Sequence, residues 1–147
     1  MGVRRLKPMD RQEWRRMRRA LWPRCADDVL DAEMASILAD HDGQAVFVAV
    51  RPGGGLGGFL ETSIHPHAIG CQTHPVGYVE GWYVDPEWRR TKVGRKLLYA
   101  AEAWALAQGC REMASDTLES NRAGLAAHLA CGYVETGRLI HFNKRLA

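Results

Sequence analysis

Four basic residues crowd a short segment of this chain: Arg89, Arg90, Lys92 and Arg95. They follow Val84-Asp85-Pro86 and lead into residues 95–108, where Leu97, Leu98, Ala101, Trp104 and Ala105 recur at helical spacing. A helix N-terminus presents unpaired backbone N–H groups and the positive end of the helix dipole. Beside full positive charges, it suits a phosphate or pyrophosphate. The alternative is a generic strand-to-helix turn with exposed basic side chains. The Gly-Lys-Ser/Thr of a P-loop is missing, as is a Gly-x-Gly-x-x-Gly dinucleotide turn. Upstream, Glu80 stands between Val79 and Gly81 in an apolar stretch. A carboxylate there must find partners if buried; otherwise it lies on an edge strand facing water. Metal chemistry is not expected. His65-Pro66-His67 is the one close histidine pair, and it has no cysteine partner at zinc spacing. Cys25, Cys71, Cys110 and Cys131 form no C-x-x-C pair and read as free thiols.

The elements that must position these groups follow from periodicity and turn signals. Residues 10–21 predict a helix with Trp14, Met17 and Leu21 on its buried stripe and Arg11, Arg15, Arg16, Arg18 and Arg19 on its wet face. Leu21-Trp22-Pro23 ends it, because the residue before proline avoids the helical region. Residues 27–39 predict a second helix. Strands are expected over 44–50, 57–64 and 76–84, the first two as a hairpin around Pro52 and three glycines. After the helix at 95–108 come a strand at 110–115, a helix at 121–131 stopped by Gly132, and two late strands at 133–140 and 142–146. The order α-α-β-β-β-α-β-α-β-β predicts one α/β domain over residues 1–147, a mixed and mostly antiparallel sheet flanked by helices.

Composition bounds the rest. The chain has 147 residues, 46% hydrophobic and 25% charged, which is ordinary for a globular domain and argues against disorder. No stretch approaches 18 apolar residues, and the basic N-terminus lacks a signal-peptide core, so a cytoplasmic protein is expected. The net charge of +3 hides a segregation: residues 1–24 carry +7, residues 25–88 carry −9 and residues 89–147 carry +5. An acidic middle attracts a cationic ligand, and the basic segment after it an anionic one; solvated helix faces are the alternative. The N-terminal arginines alone would also fit an RNA-binding protein, but no aromatic platform or nucleic-acid motif accompanies them.

Val84-Asp85-Pro86 followed by Arg89-Arg90-Thr91-Lys92-Val93-Gly94, with Gly132-Tyr133 opening a late strand, resembles the GCN5-related N-acetyltransferase (GNAT) superfamily. Its signature is Arg/Gln-x-x-Gly-x-Gly/Ala, and here Lys92 replaces the first glycine. Leu21-Trp22-Pro23, Val79-Glu80-Gly81, the run Arg111-Glu112-Met113-Ala114-Ser115-Asp116-Thr117, and His128 four residues before Gly132 look like the aminoglycoside 6'-N-acetyltransferases. The resemblance implies transfer of the acetyl group of acetyl-CoA to the 6'-amino group of an aminoglycoside, and hence antibiotic resistance. It implies cofactor contacts from the backbone of Trp82, Tyr83 and Val84, one of whose N–H groups would be the oxyanion donor. The pyrophosphate would sit on Arg90, Thr91, Lys92, Val93, Gly94 and Arg95 beside Arg89. Asn121 would hold the cofactor arm, or serve only as a helix N-cap.

On the substrate side the resemblance implies that Glu80 and Asp116 contact the aminoglycoside. One of them, directly or through water, would be the base. Trp22 would pack on the sugar rings, His67 would line the pocket from a loop, and His128 would protonate the departing thiolate. Each has a plain structural alternative: a solvated edge acid, a turn residue, a core tryptophan, a core histidine. Ala68 and Gly137 stand where relatives can carry an aromatic residue and an acid, which leaves the substrate range open. Relatives suggest a homodimer, with the late strands as a plausible interface. An acetyltransferase for a polyamine or a peptide N-terminus, and a non-catalytic CoA-binding module, are the rival readings.

Overall fold

Trp14 and Met17 on the first helix, Leu30 and Met34 on the second, and Val48 and Phe59 on the sheet are wholly buried. That is the outcome the apolar spacing dictates: two amphipathic helices turn their stripes onto one face of a sheet. The computed structural model describes residues 1–147. It divides into two compact units, residues 1–116 and residues 117–147.

In the first unit, strand β1 (Gly2–Arg5) precedes helices α1 (Arg11–Leu21) and α2 (Asp27–Ala39). Strands β2 (Gln44–Val50), β3 (Leu56–His65) and β4 (Val76–Val84) follow, then helix α3 (Val93–Ala107) and strand β5 (Met113–Ser115). The sheet runs β1-β2-β3-β4-β5. All its pairings are antiparallel except β4 with β5, which are parallel and joined through α3. Leu97, Leu98, Ala101 and Ala105 of α3 are buried. Gly58 and Gly77 make room for that helix: a Cβ on either would come within about 3 Å of Leu97 or Ala105 side-chain atoms.

The first unit departs from the sequence expectation in several details, among them a strand β5 that begins at Met113 where residue 110 is expected. Strand β1 is not foreseen, because Gly-Val-Arg-Arg carries no apolar run; its pairing with β2 holds it. Helix α3 starts two residues early, at Val93. The wet-face reading of the α1 arginines fails for Arg18, which is only 2% exposed.

The second unit holds helix α4 (Arg122–Ala130), capped by Asn121, whose Oδ1 accepts from the Gly124 N–H at 2.9 Å. Gly132 takes φ +88 just past its end. The two strands expected after Gly132 are not formed: residues 133–147 contain neither helix nor strand. A strand is stable only when its backbone groups are paired, and apolar alternation cannot supply the partner. Val134, Leu139, Ile140, Phe142 and Leu146 are consequently left 68–90% exposed. No helix of the chain is long and apolar enough to cross a membrane.

Candidate active site

The site is built where β3 and β4 fall out of register. Glu61 pairs with Gly81 and Thr62 with Val79, so Glu80 is an extra residue on β4, a β-bulge. Without the bulge, strict alternation would send Glu80 to the face opposite Gly81. With it, Glu80 turns to the side occupied by Glu61 and Gly81 and lines one cavity with Glu61. Glu80 Oε1 accepts hydrogen bonds from Ser63 Oγ at 2.5 Å and His65 Nε2 at 2.6 Å. Glu80 is neither a buried orphan nor an idle surface acid.

The cavity has a volume of about 290 Å³ and is lined by Arg18 and Trp22 of the α1 end, Glu33, Ser36 and Ile37 of α2, Gln44, Glu61 and Glu80. Trp22 reaches it because residue 81 has no side chain: a Cβ there would lie 2.6 Å from the Trp22 ring. Beneath the ring, the Arg18 guanidinium stacks at 4.8 Å. Arg18 is in turn gripped by Glu61, with Nε to Oε2 at 2.8 Å and Nη2 to Oε1 at 3.2 Å. Trp14 Nε1 donates to Glu61 Oε2 at 2.9 Å, and Arg18 also donates to Glu33 at 3.0 Å. Burial alone would lower the Arg18 pKa, but the Glu61 and Glu33 carboxylates outweigh it and hold the guanidinium charged. Sequence reasoning misses this network. The available signals are Glu61 in an apolar strand, the same oddity that marks Glu80, and Arg18 four residues after Trp14, hence on the buried stripe.

Asp116 lies just past β5 and accepts from the Tyr78 hydroxyl. Burial first, and then Asp116, raise the Tyr78 pKa far above its ordinary value, so the phenol stays a donor. His67 is exposed on the loop after β3, with its ring edge-on to His74 at 5.7 Å. That loop is pinned by Glu112, whose Oε1 accepts from the Gln72 N–H (2.8 Å), the Thr73 N–H (2.6 Å) and the Thr73 hydroxyl (2.5 Å). These bonds hold the Glu112 carboxyl below its ordinary range. In the second unit, the Asn121 Nδ2 donates to Thr117 Oγ1 at 3.1 Å, in addition to the cap on α4. His128 Nδ1 lies 2.6 Å from the Gly124 carbonyl. As that carbonyl can only accept, Nδ1 carries the hydrogen, and Nε2 can donate only from the imidazolium.

The anion-binding expectation meets a suitable loop. No strand pairs with β4 on its β5 side beyond Val79, since the β4–β5 ladder covers only residues 77–79 and 113–115. The stretch Trp82, Tyr83 and Val84 therefore has no strand partner on that side. Asp85, 3% exposed, fixes the strand exit through Arg16 (3.0 Å), Arg51 (2.5 Å) and the Tyr83 hydroxyl (3.1 Å). Arg89 donates from Nε to the Val84 carbonyl at 2.9 Å and lies over the Tyr83 ring. Arg90 and Lys92 both take left-handed backbone, φ +64 and +67, and the Thr91 hydroxyl donates to the Trp88 carbonyl. Lys92 thus adopts the conformation glycine favours in the motif it interrupts. No side chain caps the first turn of α3. Gly94 lies against the Trp82 indole, whose Nε1 donates to the Gly94 carbonyl at 3.1 Å. An uncapped helix start, two left-handed residues and four basic side chains fit the pyrophosphate of a CoA.

A mixed sheet whose bulged β4 pairs with β5 over only three residues, and an uncapped basic turn at the start of α3, define an acyl-CoA-dependent transferase scaffold. The chain belongs to the Acetyltransferase (GNAT) family, whose profile matches residues 10–133. It is 43% identical to the aminoglycoside N(6')-acetyltransferase type 1 of Stenotrophomonas maltophilia over 145 residues, covering 98% of this chain and 93% of that one. It is 42% identical to the protein of the same name from Klebsiella aerogenes, covering 98% and 96%. Among solved structures, AAC(6')-Iy in complex with a bisubstrate analogue, CoA-S-monomethyl-acetylneamine, superposes with a TM-score of 0.90 at 37% identity, covering 98% and 97%.

Proposed function

We propose that this chain transfers the acetyl group of acetyl-CoA to the 6'-amino group of aminoglycoside antibiotics, and so confers resistance to them. The observation that carries the reading is the cavity that Trp22, Glu80 and Glu33 line together. A flat aromatic face beside carboxylates fits an aminosugar: the ring stacks, and the ammonium groups pair with acids. The relatives named above for aminoglycoside acetylation support the same assignment.

Bound acetyl-CoA supplies the thioester that the amine attacks. Trp82, Tyr83 and Val84 offer backbone groups to its arm, one N–H serving the oxygen that gathers negative charge. Residues 89–95 hold its phosphates. The amine arrives as an ammonium ion and must lose a proton before it can attack. Glu80, with Oε2 carrying no hydrogen bond, is the base, directly or through a water; Asp116 is the second acid of the amine site. By resemblance alone, Asn121 is assigned to the cofactor arm, His67 to the substrate side and His128 to the proton for the thiolate. The chain works as one N-acetyltransferase domain over residues 1–147, in the cytoplasm and as a homodimer. The exposed apolar residues of the C-terminal segment support the dimer.

Thiol release from acetyl-CoA, compared for tobramycin and spermidine, tests the activity. Release with tobramycin alone is expected. Release with spermidine alone would keep the cofactor and overturn the substrate. Glu80→Gln should lower kcat by about 10²-fold or more, and full turnover by both Glu80→Gln and Asp116→Asn would remove these acids from the mechanism.

A further inference from the structure

His65 and Tyr78 have so far entered only as separate hydrogen-bond donors to Glu80 and Asp116. Their rings are parallel to within 11° and stacked at 4.4 Å between centroids. His65 closes β3 and Tyr78 lies on β4, two residue pairs from the end of their ladder, where Ser63 is Tyr78's partner in register. Each ring carries one polar hydrogen to a carboxylate of the amine site. His65 Nε2 is 2.6 Å from Glu80 Oε1, and the Tyr78 hydroxyl donates to Asp116 Oδ2.

We propose that the stacked His65–Tyr78 pair is a brace that positions both substrate carboxylates, Glu80 and Asp116, as one unit. This rests on the reading of Glu80 and Asp116 as the acids that meet the amine. The geometry at Glu80 is specific. Both donors, Ser63 Oγ and His65 Nε2, converge on Oε1. Two hydrogen bonds to one oxygen fix the plane of the carboxylate and leave Oε2 as its sole uncommitted acceptor. Glu80 lines the cavity, so that acceptor is available to an ammonium group. Facing a carboxylate, His65 Nε2 must carry the hydrogen; Nδ1 is left to solvent. The stack fixes the plane of the ring, and the bond to Glu80 fixes which edge faces the carboxylate. At the other end, the phenol of Tyr78 stays protonated and keeps its hold on Asp116. A lone glutamate on a bulge samples several rotamers, and ordering it only when substrate arrives costs affinity. The brace orders it beforehand. His65 and Tyr78 are positioning residues, since neither is placed against the reacting atoms.

The test is steady-state kinetics of the full chain with tobramycin and acetyl-CoA. His65→Leu keeps bulk and removes the donor; His65→Gln restores a donor at nearly the same reach. Tyr78→Phe keeps the stack and releases Asp116. For His65→Leu and Tyr78→Phe, the expected result is a fall of about tenfold or more in kcat/KM for tobramycin. The KM for acetyl-CoA should stay within about twofold, and the melting temperature should be nearly unchanged. His65→Gln should recover most of the His65→Leu loss. A His65→Leu enzyme within twofold of wild type for tobramycin, or one that His65→Gln does not rescue, overturns the brace. So does a loss shared equally by both substrates. If wild type acetylates spermidine and not tobramycin, the aminoglycoside reading falls, and the same split measured on spermidine decides the brace. No turnover of either amine overturns both.

Discussion

Glu80 and Glu61 are the same residue type, on adjacent strands, facing one cavity, yet they have opposite fates. Glu61 is 3% exposed and spends both oxygens on Arg18 and Trp14, whereas Glu80 keeps one oxygen free. Glu61 is thus committed to the fold, whereas Glu80 keeps an acceptor for the role proposed above, a distinction that depends on partners far apart in the chain. Removing one member of a buried pair strands the other charge. Arg18→Met should therefore cost about 3–5 kcal/mol of stability, read as a lower denaturant midpoint, while Arg18→Met combined with Glu61→Leu should recover most of it. The same stacking that steadies Trp22 makes Gly81 sensitive. Gly81→Ala would push a Cβ into the indole. It should raise the KM for an aminoglycoside by about tenfold and leave that for acetyl-CoA in place, as substrate-by-substrate kinetics would show. Glu80 stood out from its neighbours, Val79 and Gly81, and Trp22 through the family resemblance alone. Arg18 and His65 were not, because their roles come from packing and register across strands that local spacing does not report.

At the scale of elements, the β4–α3 connection couples structure to binding. The strand exit is held by Asp85, and the helix start by a loop with two left-handed residues. For a lysine such a backbone costs on the order of 1 kcal/mol. Lys92→Gly should raise the melting temperature by a few degrees and weaken CoA binding only as far as one lost charge dictates, whereas Lys92→Ala should lose the charge and keep the strain. Calorimetric titration of CoA against both variants separates the two effects. Acid stability follows from the same connection. Burial alone would raise the Asp85 carboxyl, but Arg16 and Arg51 outweigh it and hold it below its ordinary value; the side-chain bond from Arg4 does the same for Asp10. A carboxyl depressed in the folded state contributes stability above its unfolded pKa of about 4 and loses it as pH falls through the folded value. Melting temperature should therefore be flat above about pH 5 and fall below about pH 4, less steeply in Asp85→Asn. The helices and four of the strands were readable from periodicity. Strand β1 was not, since its evidence lies in β2.

For the whole chain, the segregation of charge along the sequence carries through to the structure. The acidic middle segment supplies Glu33, Glu61 and Glu80 to one cavity, and the basic stretch after it supplies the loop at residues 89–95. The C-terminal segment is where the sequence pattern misled: its apolar residues suggested two strands, but no strand forms after Gly132. With five large apolar side chains exposed there, association through this segment is expected. Light scattering should give twice the 16.4 kDa chain mass, and Ile140→Asp with Phe142→Asp should return the mass of one chain.

The anchoring of the loop after β3 bears on how such an enzyme changes over time. Glu112 ties down Gln72 and Thr73 with three hydrogen bonds, while His67 and Ile69 stand in water. A span fastened at its base and unencumbered at its tip can exchange residues 66–70 without disturbing the strands that hold the chemistry. On the substrate-side role proposed for this loop, drift in the antibiotics accepted would accumulate in those five positions first, with the strands carried along unaltered.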